Sequence, residues 1–150
     1  MVPTIMALLL AGLVFVAIDE MNLRQSMVKE ISMLSRIIGD NNTAALLFND
    51  PKSAEENLAV LAANEHVVAG SVYTASGAVF ASYSRDNSRK KLSPPALRPD
   101  GYRFDDNSLT LFNSIKHNGN TVGTVYLNYD LNALKMRRYG YFGMVALVLL

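Results

Sequence analysis

Charged side chains are missing from both ends of the chain. Residues 1–18, MVPTIMALLLAGLVFVAI, and residues 139–150, YGYFGMVALVLL, hold none, and every Lys, Arg, Asp and Glu lies between Asp19 and Arg138. As a helix the first run would be about 27 Å long at ~1.5 Å per residue, close to the ~30 Å hydrocarbon core of a bilayer. It lacks the basic start of a secretory signal, and Asp19-Glu20 follows it directly, so the pattern predicts a membrane anchor over 1–18 rather than a cleaved leader. The last run would span about 18 Å, too short to cross, and it has no polar stop at Leu150. It predicts the start of a second transmembrane helix over 139–150, with Tyr139, Tyr141 and Phe142 at the interface. The competing readings are a buried soluble helix for the first end and a sticky C-terminal strand or helix for the last.

Between the ends, the apolar spacing first follows a helix. Met27, Ile31, Leu34, Ile38, Asn41, Ala45 and Phe48 alternate four and three residues apart, a heptad seam with one polar position at Asn41. One face of this kind packs on the domain's own sheet or joins a parallel helix of a second copy, and with Val28 and Ile37 on its flanks the seam is wide enough for both. Gly39-Asp40-Asn41-Asn42 argues against an undisturbed helix. It predicts a bend, a break, or a place where these polar groups find fixed partners. Asp50-Pro51 is a helix start, Asp50 capping and Pro51 at the first helical position, and Ala54, Leu58, Leu61 and Ala62 line one face up to about Asn64.

Beyond Asn64 the period drops to two. Strands are expected at Val67–Ala75 and Ala78–Ser84 around the turn Ser76-Gly77, and at Leu109–Lys116 and Thr121–Tyr129 around Asn118-Gly119-Asn120. A short strand is expected at Tyr102–Asp106, and a helical stretch over Asp130–Arg138 leading to the second span. Helices first and hairpins afterwards predict an α+β domain over 19–138: a long N-terminal helix and a second helix packed on an antiparallel sheet of about five strands.

Composition removes function classes more than it suggests them. With 14 Lys+Arg against 13 Asp+Glu, the net charge of +1 gives no case for nucleic acid. There is no cysteine, hence no disulfide framework or thiolate metal site. His66 and His117 have no carboxylate at a metal-ligating spacing, adjacent Asp105 and Asp106 on a strand would face opposite ways, and no glycine loop cradles phosphate. No catalytic residue, metal or cofactor is expected, and the domain is not read as an enzyme. The connection Ser84–Gly101 is basic, with Arg85, Arg89, Lys90, Lys91 and Arg98 against Asp86 and Asp100. It reads as a solvated loop, a lid over an anion pocket, or a contact for headgroups or a protein partner. A ligand pocket, if present, is expected against the sheet near Tyr73 and Tyr126, with Arg103 as its cation.

The run Ile37-Ile38-Gly39-Asp40-Asn41-Asn42-Thr43-Ala44-Ala45-Leu46-Leu47-Phe48-Asn49-Asp50-Pro51, followed by Ala54-Glu55-Glu56-Asn57-Leu58, resembles the CHASE-type periplasmic sensor domains of type eight, a PAS/Cache-like group. Val72-Tyr73, Phe80-Ala81, Val122-Gly123-Thr124-Val125-Tyr126-Leu127 and Asp130-Leu131 extend the resemblance over about residues 20–138. One departure is Ala75-Ser76-Gly77, where an acidic residue is usual in the first hairpin turn. The resemblance implies an exported sensory module between two membrane helices of a bacterial inner-membrane receptor. Its cytoplasmic output would be a diguanylate cyclase or a histidine kinase. Some relatives are controlled by a separate periplasmic protein rather than a small molecule, and no ligand residues carry over. The expected working form is a parallel homodimer with Met27, Ile31, Leu34, Ile38 and Asn41 as its seam. The alternatives are a docking module for a periplasmic regulatory protein and a small two-span structural membrane protein.

Overall fold

The computed structural model describes residues 2–85 and 93–132. Helix α1 (Val2–Leu47) is followed by α2 (Pro51–Ala59), a short 3₁₀ turn (Val60–Ala63), and five strands: β1 (Val67–Thr74), β2 (Val79–Ser84), β3 (Gly101–Phe104), β4 (Ser108–His117) and β5 (Asn120–Asp130). They form one antiparallel sheet in the order β2-β1-β5-β4-β3, so the first and last strands lie side by side at its centre. The α+β architecture and the five expected strands are all present. Asp130 closes β5 instead of opening a helix. The expected continuation over residues 133–138 and the run 139–150 lie outside the described residues. So do Arg89, Lys90 and Lys91 of the basic connection.

Helix α1 runs without a break through Gly39-Asp40-Asn41-Asn42. Of the outcomes expected there, the fixed partners are the one found. Asn42 is fully buried and its Nδ2 donates to Ile38 O at 2.8 Å. Asn57 Nδ2 on α2 donates to Asn41 O at 2.9 Å and approaches Asn42 Oδ1 at 3.5 Å. Gly39 is explained by closeness, since a Cβ there would stand 3.3 Å from Ile115 Cγ1 and 3.6 Å from Val125 Cγ2. The sheet supplies a matching gap at Gly123, where a Cβ would meet Tyr73 O at 2.5 Å and Leu46 Cδ1 at 2.7 Å. Helix and sheet therefore approach over two glycines, one on each surface.

The buried side of α1 is Met27, Ile31, Ser35, Ile38, Asn42 and Ala45, set into Val72, Leu111, Ile115, Val125 and Leu127 of the sheet. Each fully buried Ile or Leu contributes about 1.5–3 kcal/mol, so this face holds most of the helix in place. Asn49, with φ 54°, turns the chain into α2, and Asp50 caps it by accepting Ser53 N–H at 3.1 Å and Ser53 Oγ–H at 2.6 Å. Those bonds, the side-chain one foremost, hold the Asp50 carboxyl below its ordinary value. The β4–β5 turn, Asn118 (φ 50°) and Gly119 (φ 80°), has the two left-handed residues that the Asn-Gly signal requires.

Among the described residues no helix is long and apolar enough to cross a membrane. Leu10, Leu13, Val14, Phe15 and Ile18 on the first part of α1 are nonetheless 53–74 % exposed.

Candidate functional site

Two regions bring functional groups together. The first is the pole at which α1 enters the domain and β5 leaves it. Tyr129, near the end of β5, donates from its hydroxyl to Glu30 Oε1 at 2.5 Å on α1 and accepts from Asn64 Nδ2 at 3.2 Å. Burial, reinforced by the bond to the Glu30 carboxylate, pushes the Tyr129 phenol up to about 12. It is therefore a proton donor at neutral pH. The His66 ring lies 5.6 Å from the Tyr129 ring, and His66 O accepts the Asp130 amide at 2.7 Å. Leu131 N–H donates to Asn107 O at 2.9 Å, its side chain packs against the core, and Arg24 stands over the Phe104 ring at 5.1 Å. The last turn of the outgoing strand is thus bonded to the incoming helix, to the start of β1 and to the β3–β4 turn.

The second region is the sheet face turned away from α1. Strand alternation sends Val72, Leu111, Val125 and Leu127 into the helix-side core, and the residues between them outward. Tyr73, Phe112 and Tyr126 meet there, with ring centroids 6.4 Å apart for Tyr73 and Phe112 and 5.0 Å for Phe112 and Tyr126. The end of the basic connection crosses this face: Tyr73 donates from its hydroxyl to Pro95 O at 2.7 Å, and Leu97 packs on the β1–β2 turn at Gly77. Burial raises Tyr73 to about 12, with the Tyr126 phenol adding to the effect. Tyr126 is raised mainly by burial, while its bond with Asn128 and the Arg98 guanidinium pull the other way and the Asp105 carboxylate adds to the rise.

Beside the three rings a cavity of about 690 Å³ opens to solvent, lined among others by Ala75, Leu97, Arg98, Asp100, Ser114 and Thr124. Ser114 Oγ–H donates to Asp100 Oδ1 at 2.6 Å. Ser114, Thr124 and Tyr73 are cross-strand neighbours on three adjacent strands, which carries the cavity floor onto the aromatic cluster.

Of the residues expected at a pocket, Tyr73 and Tyr126 share this face as neighbours of Phe112. Arg103 faces the same way but pairs with Thr110, two residues along β4 from Phe112, and its Nε makes an exposed ion pair with Asp105 Oδ1 at 3.4 Å. The cation at the cavity is Arg98. Sequence reasoning did not single out Phe112, Asp100 or Ser114. The alternation in β4 held the signal, because an aromatic ring between Thr110 and Ser114 marks an outward face that something covers.

The seam residues are divided. Met27, Ile31 and Ile38 are buried against the sheet of their own chain, Leu34 is half-buried, and Asn41 is exposed with its carbonyl bonded to Asn57. The buried asparagine of α1 is Asn42. Met33, 66 % exposed, and Ile37, 48 % exposed, stand on the other side of α1.

The profile of the CHASE8 family, described as a periplasmic sensor domain, matches residues 23–128. The chain is similar to the diguanylate cyclase TpbB of Pseudomonas aeruginosa, 28 % identical over 147 residues in the forms from strain PAO1 and strain UCBPP-PA14. The match covers 97 % of this chain and 33 % of those relatives, so the chain spans about a third of the length of the curated relatives it matches.

Proposed function

Since the chain belongs to the CHASE8 family of periplasmic sensor domains, we propose that it is the signal-input module of a receptor in a bacterial inner membrane, of PAS/Cache-like type, which passes binding in the periplasm through the membrane to a cytoplasmic output. Residues 1–18 act as its first membrane anchor and 139–150 as the start of a second, with the sensor at 19–138 between them. The output is cyclic-di-GMP synthesis, by likeness to the diguanylate cyclase TpbB; a histidine kinase is the other form an output of this kind takes. The segment itself is an input module and not an enzyme.

The observation that carries this reading is the single pole. The incoming helix and the outgoing strand are fastened to each other by the Tyr129–Glu30 bond. A change on the sheet that makes or breaks this bond moves one relative to the other at the point where both leave the domain. An input that binds one arrangement better by about 1.4 kcal/mol biases the two by tenfold. The signal is bound on the outer sheet face beside Tyr73 and Tyr126, where Arg98, with Arg103 further out, supplies positive charge.

The module works as a parallel homodimer. Since Met27, Ile31 and Ile38 are taken up inside each copy, the α1 surface left for the partner is that of Met33, Ile37 and Ala44. At about 100° per residue these fall roughly opposite the buried stripe. The reading is tested by fusing the chain to a cytoplasmic diguanylate cyclase and measuring product after substitutions at the pole. Output that follows those substitutions supports it, and output indifferent to them sinks it.

A second reading has its own observation. Leu47 and Phe48, 50 % and 83 % exposed at the corner between α1 and α2, are a large apolar surface at the far end of α1 from that pole. They suit docking of a periplasmic regulatory protein, which would act on the same two elements.

A further inference from the structure

The open concavity beside the aromatic cluster is lined by one exposed side chain of each charge. Arg98 and Asp100 both line it, two residues apart on the same segment. Among the described residues neither makes an ion pair with the other or with another side chain. Asp100 is held by Ser114 through Oδ1, which leaves its second oxygen for a ligand. The rest of the lining is short and uncharged: the hydroxyls of Thr121 and Thr124, with Leu97 as the apolar wall.

This distribution selects by charge. A simple anion held by Arg98 would sit against the Asp100 carboxylate, and a simple amine held by Asp100 would sit against the Arg98 guanidinium. A ligand bearing both charges a few ångströms apart satisfies both at once. Hydroxyls on the floor complete its polar shell, and Leu97 receives a small side group. The cavity, about 690 Å³, leaves room for that side group and for several waters at ~30 Å³ each.

We propose that this cavity is a binding site for a small zwitterion of the free α-amino acid class, its carboxylate on Arg98 and its ammonium on Asp100. The proposal rests on the sensor reading and names the chemistry of its ligand. Tyr73 and Phe112 then act as the backing that positions the segment carrying Arg98, through the Tyr73–Pro95 bond, rather than as ligand contacts.

The test uses the whole chain in lipid nanodiscs, titrated with each L-α-amino acid and followed by thermal unfolding and calorimetry. Paired titrations use the N-acetyl and the C-amide derivative of each, which lack one charge. The expected result is a saturable rise in Tm with at least one amino acid and none with its two derivatives. Arg98→Ala and Asp100→Asn should each weaken binding about tenfold or more, as loss of a charge-assisted contact does. Asp100→Asn keeps an acceptor for Ser114, so the segment stays in place, and unchanged Tm values without ligand check this. Lys116→Ala, a cation outside the cavity, should bind as the parent does. No binding by any amino acid, equal binding of the N-acetyl or amide forms, or full binding by Arg98→Ala and Asp100→Asn would each overturn the proposal. The sensor reading fails differently, on output that ignores the pole, so the two failures are separable.

Discussion

Gly123→Ala is the substitution that most sharply tests how α1 sits on the sheet. In an ordinary strand, replacing glycine by alanine stabilises by roughly 0.5–1 kcal/mol through the backbone entropy of the unfolded chain. Here the added methyl would stand 2.5 Å from Tyr73 O and 2.7 Å from Leu46 Cδ1. Leu46 has room to turn away, but the Tyr73 carbonyl belongs to the β1–β5 ladder and cannot move without opening it. Overpacking of a closed core costs about 1–3 kcal/mol, and a backbone obstacle places this case at the upper end. At about 4–8 °C per kcal/mol for a small domain, a loss of ~2 kcal/mol net of the entropy gain lowers Tm by roughly 8–16 °C. Gly39→Ala is the paired control. Its methyl would meet the side chain of Ile115 at 3.3 Å, not backbone. The helix gains about 1 kcal/mol from losing a glycine, so the net change should lie within about 1 kcal/mol of zero. Urea unfolding in detergent micelles, followed by tyrosine fluorescence since the chain has no tryptophan, measures both. A Gly123→Ala protein as stable as the parent, or a Gly39→Ala protein more damaged than it, would refute this account of the helix–sheet contact.

Tyr73 and Tyr129 retain their protons up to about 12, where the unfolded chain loses them near 10. The folded state therefore holds more protons in that interval, and stability present below pH 10 should fall as pH rises through 10 to 12. Urea midpoints should be flat just below that window and drop across it, and Tyr129→Phe should remove part of the drop. If the proposed homodimer forms through the exposed side of α1, Ile37→Asp should break it while leaving each domain folded, whereas Ile38→Asp, at a fully buried position, should unfold the domain. Light scattering and thermal unfolding of the two variants separate these outcomes.

Much of the fold was legible because its signals are local. The five strands lie within two residues of the positions that period and turn chemistry mark, and Asp50-Pro51 starts α2 as a cap and first-turn proline should. Less legible was what packs against what. Asn41 and Asn42 are neighbours in sequence, and the spacing rule chose the one that the structure exposes. The true stripe drifts at 3.6 residues per turn and so passes through Ser35 and Asn42 rather than Leu34 and Asn41. Gly39 looked like a flaw in a helix because its reason, the approach of Ile115, comes from a strand far along the chain. At the cavity, Tyr73 and Tyr126 were legible as aromatic positions on strands. Arg98 was not distinguishable from four other cations of its connection, because its place at the cavity depends on how the chain crosses the Tyr73 hydroxyl.

In the proposed mechanism the Tyr129–Glu30 contact couples the outgoing strand to the incoming helix and so sets the state of the output. Tyr129→Phe removes the hydroxyl and keeps the ring. Measured as cyclic-di-GMP production by the chain joined to a cytoplasmic cyclase in nanodiscs, the basal output of Tyr129→Phe should shift severalfold from the parent. The domain should stay folded by circular dichroism, and Glu30→Gln should shift the output in the same direction. Parent-like output from both variants, each folded, would contradict the claim.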